Sequence, residues 1–192
     1  MKTTLKDYLY SLRFFVLFCF LFFVFSGILG YFSAKFNPEQ AQQLLEQMKE
    51  MYGLALQANV FGQFLFVFLN NGFTLFLVLV LGVIFGIFPL LVLFANGAVF
   101  GVLGFFAKDT ISWSKFFLGT LPHGIIEIPV IILACAIGLK IGKAFLKSIT
   151  EKQGNTKKEF FSALKFFLKI LLPLLALSAA IEIFITAKLL GV

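Results

Sequence analysis

Residues 14 to 32 read FFVLFCFLFFVFSGILGYF, an apolar run that contains no charged side chain. At about 1.5 Å per residue, a helix of this length crosses the hydrocarbon core of a bilayer, which is about 30 Å thick. The whole chain has the same character, because 60% of its 192 residues are hydrophobic and only 13% are charged. A soluble globule of this size would need more polar surface. The run therefore predicts an integral membrane protein.

Four further apolar stretches follow this run, and each is long enough to span a bilayer. The sequence thus predicts an all-α, polytopic fold with five transmembrane helices in a single membrane domain, residues 1–192. The predicted spans cover about residues 14–34, 64–88, 90–107, 116–141 and 166–190. Gly82 with Gly86, and Gly138 with Gly142, provide small helix faces that allow close packing, and these faces also favour a homo-oligomer.

The segment between the first two spans is predicted to form an amphipathic helix over about residues 38–58. Asn37 is a typical N-cap residue, and Pro38 suits the first helical position. Apolar side chains then recur at helical spacing, while glutamine, glutamate and lysine fill the opposite face. The segment is too polar to span the bilayer, so we expect it to lie in the membrane interface. A lid or docking surface is the alternative interpretation.

Basic residues are unevenly distributed between the two sides that five spans define. The N-terminal segment and the loop between the fourth and fifth spans hold eleven of the 16 Lys and Arg residues, and the opposite side holds five. The positive-inside rule then places the N-terminus in the cytoplasm, and the C-terminus and the amphipathic helix outside it. This distribution accounts for the net charge of +7, so nucleic-acid binding is not expected. The expected location is the cell (cytoplasmic) membrane, with the lipid bilayer as a partner.

The fourth span contains the only histidine, within the sequence LPHGIIE of residues 121–127. Pro122 suits the first turn of a helix, so Gly119 and Pro122 are predicted to interrupt the outer end of this span. His123 and Glu127 lie four residues apart and would share one helix face. Ionisable groups at membrane depth cost roughly 2.5 to 3.5 kcal/mol each on insertion scales, and therefore need partners or a task.

Other spans carry polar residues at a similar depth. Counting residues from the outer end of each span places these groups roughly 9 to 17 Å below the surface. The predicted buried polar cluster consists of Asn70, Asn71, Asn96, His123, Glu127 and Glu182. Interhelical hydrogen bonds worth about 0.6 kcal/mol each are one explanation for the asparagines. A structural network and a functional site remain open alternatives for the cluster.

The familiar catalytic and metal-binding patterns do not match these residues. His123 and Glu127 lack the second histidine of the metalloprotease helix motif. Cys19 and Cys135 lie in apolar runs without metal-type spacing, so both are expected to be small buried hydrophobic residues. No catalytic residue, metal or cofactor is therefore predicted. An intramembrane hydrolase that uses Glu127, His123 and Glu182 is a remote alternative.

Several of these elements together resemble the stage II sporulation protein M family. The resemblance runs from about Asn70 to the C-terminus, and the Leu-Pro-His-Gly-x-x-Glu element is its most specific part. Its elements are Asn70-Asn71, Asn96-Gly97 with Gly101, Leu121-Pro122-His123-Gly124 with Glu127, and Ala179-Ala180-Ile181-Glu182 with Thr186. Ala187 departs from the pattern, because a proline is expected after the threonine.

The resemblance implies a five-helix integral membrane protein with a role in sporulation. In sporulating bacteria, the protein that names the family belongs to an engulfment complex that holds peptidoglycan-degrading partners at the septal membrane, although members also occur in organisms that do not sporulate. We therefore expect a non-enzymatic membrane scaffold that organises envelope or septal protein partners. The alternative is a small transporter or channel that uses the buried polar cluster of histidine, glutamate and asparagine side chains. In that case a helix that begins at Pro122 would present its N-terminus to an anion.

Overall fold

The computed structural model describes residues 5–107, 112–152 and 155–186, and these residues are almost entirely helical. Within these ranges the chain forms six helices: α1 (Leu5–Phe36), α2 (Pro38–Leu56), α3 (Val60–Leu81), α4 (Ile87–Phe106), α5 (Trp113–Thr150) and α6 (Thr156–Thr186). All except α2 are long and apolar enough to cross a membrane. None of the three described ranges contains a strand. The predicted all-α class with five candidate spans is confirmed.

The outward faces of the long helices carry large apolar side chains. On α1, the side chains of Phe14, Leu17, Leu21 and Phe25 are all more than half exposed. Contiguous apolar surface of this kind is rare on soluble monomers, whereas it matches the acyl chains of a bilayer. The exposed face of α1 is therefore suited to contact lipid.

Helix α5 lies at the centre of the bundle, where it packs against α1, α3, α4 and α6. Half of the most apolar stretch of α5 is buried. In the other four long helices, the buried share of the corresponding stretch is 22% to 28%. Its 38 residues extend about 57 Å, so α5 also reaches well beyond a hydrocarbon core of about 30 Å. Every other long helix is positioned against this one.

Helices α1 and α4 form the most extensive helix pair in the described part of the chain. A Cβ atom added at Gly101 would overlap the carbonyl group of Gly27, and one added at Gly30 would overlap that of Ala98. The two backbones therefore touch directly, as faces of small residues allow in membranes. Close packing of glycine-bearing helices therefore occurs here within one chain.

The glycines at the other end of the bundle are also used inside the chain. A Cβ atom added at Gly82 would lie 2.7 Å from the carbonyl oxygen of Gly138. One added at Gly142 would lie 2.7 Å from the carbonyl oxygen of Gly82 and equally close to the amide nitrogen of Gly86. These faces were expected to favour a homo-oligomer, but they pack against each other within the chain, so they give no support to self-association.

The connection between α3 and α4 differs from the predicted limits of the second and third spans. Helix α3 ends at Leu81, inside the predicted span 64–88, and residues 82–86 form the turn. Gly86 has a φ angle of 74°, a left-handed backbone that glycine adopts without strain, and the preceding Phe85 also has a positive φ, of 51°. Pro89 lies in the first turn of α4, where its missing N–H has no helical partner to lose.

The predicted helix break at Gly119 and Pro122 is wrong. Helix α5 runs without interruption from Trp113 through Pro122 and Pro129. Each proline removes one backbone donor, but transmembrane helices tolerate this loss where neighbouring helices pack around them. As a result, no helix begins at Pro122, and the proposed presentation of a helix N-terminus to an anion has no structural basis.

Helix α6 contains two π-helical turns, over Phe167–Leu171 and Glu182–Thr186. A π turn closes its hydrogen bonds on the fifth residue rather than the fourth, so it accommodates one additional residue and changes the direction of the side chains that follow. Such turns frequently occur at functional sites. The second turn contains two of the polar residues described below.

Residues 140–152, at the basic end of α5, and residues 155–165, at the beginning of α6, form a helical hairpin, called here the basic hairpin. Lys140 Nζ lies 2.9 Å from Glu159 Oε2 and donates a hydrogen bond of 2.9 Å to Ser11 Oγ, which joins α5, α6 and α1. The hydroxyl groups of Ser148 and Thr156 lie 2.9 Å apart across the hairpin turn. These contacts hold the hairpin against the bundle.

Helix α2 packs on the opposite end of α1. Ala41 is buried together with Ala34 and Val102, and Leu45 is partly buried against this small group. Gln42 and the other polar residues of α2 face outward. The packing connects α2 to both α1 and α4.

Candidate functional site

A cluster of polar side chains lies between α3, α5 and α6. We call this set the polar cluster; its members are Asn71, His123, Glu127, Ser178, Glu182 and Thr186. One ligand-type atom from each of His123, Glu127 and Glu182 lies within 4.8 Å of the other two. The structure thus brings together these three residues of the predicted polar cluster.

The local structure of two helices explains this convergence. On α5, His123 and Glu127 are one helical turn apart, and their side chains therefore point to the same side. On α6, Ser178, Glu182 and Thr186 follow one another at intervals of four residues. Because the π turn begins at Glu182, the helix is wider there than an ordinary α-helix. Both helices thus direct several polar groups to one interface.

Hydrogen bonds connect the cluster across the helices. Asn71 Nδ2 on α3 donates to Glu127 Oε1 at 3.0 Å. Ser178 Oγ on α6 donates to the backbone carbonyl oxygen of His123 at 3.2 Å. His123 Nδ1 lies 3.4 Å from Thr186 Oγ1, and which atom donates depends on the imidazole tautomer. The three helices are therefore held together by polar contacts as well as by apolar packing.

The polar cluster contains two acidic side chains and, among the described residues, no lysine or arginine paired with them. Glu127 and Glu182 are both half-buried between membrane-spanning helices. In the part of the chain that the structure describes, neither carboxyl group forms an ion pair with lysine or arginine. Charged groups without partners are costly in an apolar interior, so two neighbouring carboxyl groups must be neutralised by protons or by a cation. The arrangement can therefore hold a proton or a positively charged ligand.

A cavity of about 150 Å³ lies on the other side of His123 and Glu127, between α1, α4 and α5. Its polar lining comes from Asn96, Thr120, His123 and Glu127, and its apolar lining includes Phe23. One water molecule occupies about 30 Å³ in the liquid, so the space suits a few water molecules or a small ion with its water shell. His123 and Glu127 thus connect the polar cluster to an open volume.

The three asparagines of the predicted cluster have different surroundings and different hydrogen-bond partners in the structure. Asn71 belongs to the polar cluster, as described above. Asn96 is exposed and donates to the Val92 carbonyl oxygen of its own helix, but it borders the cavity. Asn70 is exposed, and its amide nitrogen lies 3.5 Å from Asn71 Oδ1. In the described part of the chain, neither Asn70 nor Asn96 forms a hydrogen bond with Glu127 or Glu182.

Ser178 and Thr186 were not predicted to belong to the site. Their hydroxyl groups are weak signals in an apolar span, since serine and threonine commonly bond to the backbone of their own helix. The spacing of four residues on either side of Glu182 is the signal that would have identified them.

The arrangement of Ser178 bears on the remote alternative of a hydrolase. A serine nucleophile needs a hydrogen bond to a general base, commonly the imidazole ring of histidine. Ser178 Oγ instead donates to the backbone oxygen of His123. In this conformation Ser178 is not activated by the His123 ring.

Comparison with protein-family models matches residues 19–187 to the family described as Stage II sporulation protein M. The match covers most of the chain and includes every residue of the polar cluster. No curated protein and no solved structure gives a significant match.

Proposed function

This chain belongs to the stage II sporulation protein M family, and from that membership we propose that it is a non-enzymatic integral membrane scaffold that organises envelope or septal protein partners. The proposal includes the cell membrane as its location, with the N-terminus in the cytoplasm and the C-terminus outside. It also includes α2 as an amphipathic helix on the extracytoplasmic side, and self-association of the chain.

The observation that carries the scaffold proposal is the basic hairpin. Helix α5 is much longer than a bilayer core requires, and side-chain contacts hold its basic end against the beginning of α6. Lys143, Lys147, Lys157 and Lys158 are exposed on this hairpin. A preformed charged surface needs little ordering on binding, which favours its use as a docking platform.

A photo-crosslinking amino acid at position 157 in living cells tests this role. We expect it to form an adduct with a protein, and we expect charge reversal by Lys147→Glu and Lys158→Glu together to abolish that adduct. The same crosslinker at Phe14, which is 70% exposed on α1, serves as the control and should form adducts with lipid. If position 157 also forms adducts only with lipid, the hairpin binds the membrane surface and the scaffold proposal fails at this site.

The cavity beside His123 and Glu127 favours a second candidate, a small transporter or channel. Polar groups that border an open volume between membrane-spanning helices commonly mark a solute or proton pathway. Vesicles containing the purified protein would then show a flux of protons or ions that Glu127→Gln lowers. Vesicles without such a flux would remove this candidate, while a flux dependent on Glu127 would count against a purely structural role.

A further inference from the structure

We propose that His123, Glu127 and Glu182 bind one divalent transition-metal ion, of the Zn²⁺ or Mn²⁺ type, between α5 and α6. The ligand atoms of these three side chains lie within 4.8 Å of one another. Among the residues that the structure describes, this is the one such set of histidine, cysteine, aspartate and glutamate side chains. The proposal does not depend on the scaffold role, because a metal ion can be measured whether or not a protein partner exists.

The first argument is the charge of the site. Two ionised carboxylates carry two negative charges, and a divalent ion cancels both in a half-buried site, where water screens charges less than it does at the surface. A bound cation is often the largest charge in such a site and sets the protonation of its ligands. Buried charges in general are paired or coordinate metals. The absence of a lysine or arginine partner for either glutamate in the described ranges leaves this position for an ion.

The second argument is the chemistry of the donor atoms. Imidazole nitrogen suits zinc, copper, iron and nickel, while carboxylate oxygen suits magnesium, calcium and manganese. One nitrogen with two carboxylates therefore favours an ion that accepts both types, such as Zn²⁺ or Mn²⁺. Glutamate and histidine side chains that project inward from facing helices also form the metal sites of several helix-bundle proteins.

The third argument is distance. A zinc ion binds nitrogen and oxygen ligands at about 2.0 to 2.2 Å, so two tetrahedral ligands of one ion are about 3.4 Å apart. Since the three ligand atoms already lie within 4.8 Å of one another, side-chain adjustments of about 1 Å would bring them into coordination range. No rearrangement of the helices is needed.

Neighbouring residues supply the support that metal ligands usually have. Asn71 Nδ2 donates to Glu127 Oε1, which orients that carboxyl group, and Thr186 Oγ1 lies next to one nitrogen of the His123 ring. Contacts of this kind fix the rotamer and tautomer of metal ligands.

The test uses the full chain, purified in detergent without a histidine tag and treated with a chelator. The protein is equilibrated with Zn²⁺ or Mn²⁺ at micromolar concentration, and bound metal is measured by mass spectrometry of the elements together with the thermal unfolding temperature. We expect about one ion per chain and a higher unfolding temperature. Mg²⁺ and Ca²⁺ are the comparison ions, and they should bind more weakly because neither favours imidazole.

Variants separate the proposed site from other causes of binding. Glu127→Gln and Glu182→Gln should each weaken Zn²⁺ or Mn²⁺ binding by about 100-fold or more, because even residues that support metal ligands contribute roughly 10- to 100-fold. Asn71→Ala should weaken binding by about 10-fold. Glu46→Gln, on an exposed part of α2, is the matched control and should bind as the parent protein does.

Each result decides the proposal. Loss of a carboxylate charge does not threaten the metal-free fold, so unfolding of the chelated Glu→Gln variants at or above the parent temperature would show that they are folded. If the parent protein binds no Zn²⁺ or Mn²⁺, protons neutralise the two glutamates and the proposal is overturned. Binding that survives in both glutamate variants would also overturn it, since the ion would then lie elsewhere.

Discussion

Asn71 is the residue that joins α3 to the polar cluster, through its 3.0 Å hydrogen bond to Glu127. Replacing it by alanine removes the donor and leaves a half-buried carboxyl oxygen without this partner. We expect Asn71→Ala to lower the free energy of unfolding by about 1 to 2 kcal/mol.

Asn70 provides a matched control for that prediction, because it has the same side chain but is exposed. Asn70→Ala should change stability by no more than about 0.5 kcal/mol. Thermal or denaturant unfolding in detergent measures both variants. Equal effects at the two positions would mean that the bond between Asn71 and Glu127 contributes nothing to stability.

Tyr8 lies near the end of α1 that is predicted to be cytoplasmic. Unlike the loss of the Asn71 amide, the loss of its hydroxyl group is not expected to destabilise the protein. Its ring packs on Phe166 with centroids 5.4 Å apart, but among the described residues its buried hydroxyl group has no hydrogen-bond partner. An unpaired buried hydroxyl is costly, so Tyr8→Phe should leave stability unchanged or raise it by about 1 kcal/mol. A lower unfolding temperature for Tyr8→Phe would show that the hydroxyl is paired with water or lipid.

At the scale of the helices, the contact between α1 and α4 is the most sensitive to side-chain size. A Cβ atom at Gly101 would overlap the backbone of Gly27, whereas one at Gly104 would meet nothing within 4 Å. Gly101→Ala should therefore destabilise the protein by about 1 to 3 kcal/mol, as overpacking does. Gly104→Ala should be neutral or stabilise α4 by about 0.5 to 1 kcal/mol, because alanine favours helix more than glycine does.

The same unfolding measurement checks the two glycine variants side by side. Both changes add one methyl group to the same helix, one turn apart, so they differ mainly in what the methyl group meets. If both variants lost stability equally, the backbone contact between the two helices would not be the cause.

Helix α5 continues through Pro122, which yields a prediction about this element. Pro122→Ala restores an N–H group that can bond the backbone carbonyl of Leu118. We expect helix content and unfolding temperature to stay the same or rise, measured by circular dichroism. A marked loss of helix on this substitution would mean that the proline, and not the surrounding packing, shapes α5.

Sequence patterns predicted some elements much better than others. The long apolar runs made five candidate spans visible, since hydrophobic length depends on each segment alone. The end of α3 was missed because the turn at residues 82–86 is as apolar as the helices beside it. The continuity of α5 was missed because local propensity places Pro122 at a helix start, while the packing of four neighbouring helices overrides that preference.

For the polar cluster, too, the sequence indicated which residues belong to it better than it indicated which of them come into contact. His123, Glu127 and Glu182 were identified because ionisable residues are rare and costly in apolar spans. Their depth along each helix followed from counting residues, but the rotation of each helix did not. The rotation of α3 directs Asn71 toward Glu127. The rotation of α4 leaves Asn96 bonded to the backbone of its own helix.

At the scale of the whole molecule, the proposed orientation can be tested by labelling. Cys19 and Cys135 are both fully buried, so the native thiols should react slowly and need not be removed. We expect a cysteine at Glu151, in the turn of the basic hairpin, to react only after the cytoplasmic side is opened. A cysteine at Gln57, after α2, should react with an impermeant thiol reagent in intact cells.

Labelling in the reverse pattern would show that the protein is inverted relative to the positive-inside rule. Labelling of both positions in intact cells would indicate a mixed population. Neither outcome would alter the fold, because the helix packing described above does not depend on which side faces the cytoplasm.

The short turn between α3 and α4 has a consequence for how the protein is made. From Val60 to Ala107 the sequence contains no lysine, arginine, aspartate or glutamate, and only residues 82–86 separate the two helices. Neither helix therefore carries a signal that a translocon could use to orient it, and the turn is too short for the helices to enter separately. We expect the pair to insert as one hairpin during biosynthesis, and we expect its direction to follow from the basic segments farther away in the chain, residues 1–13 and the basic hairpin.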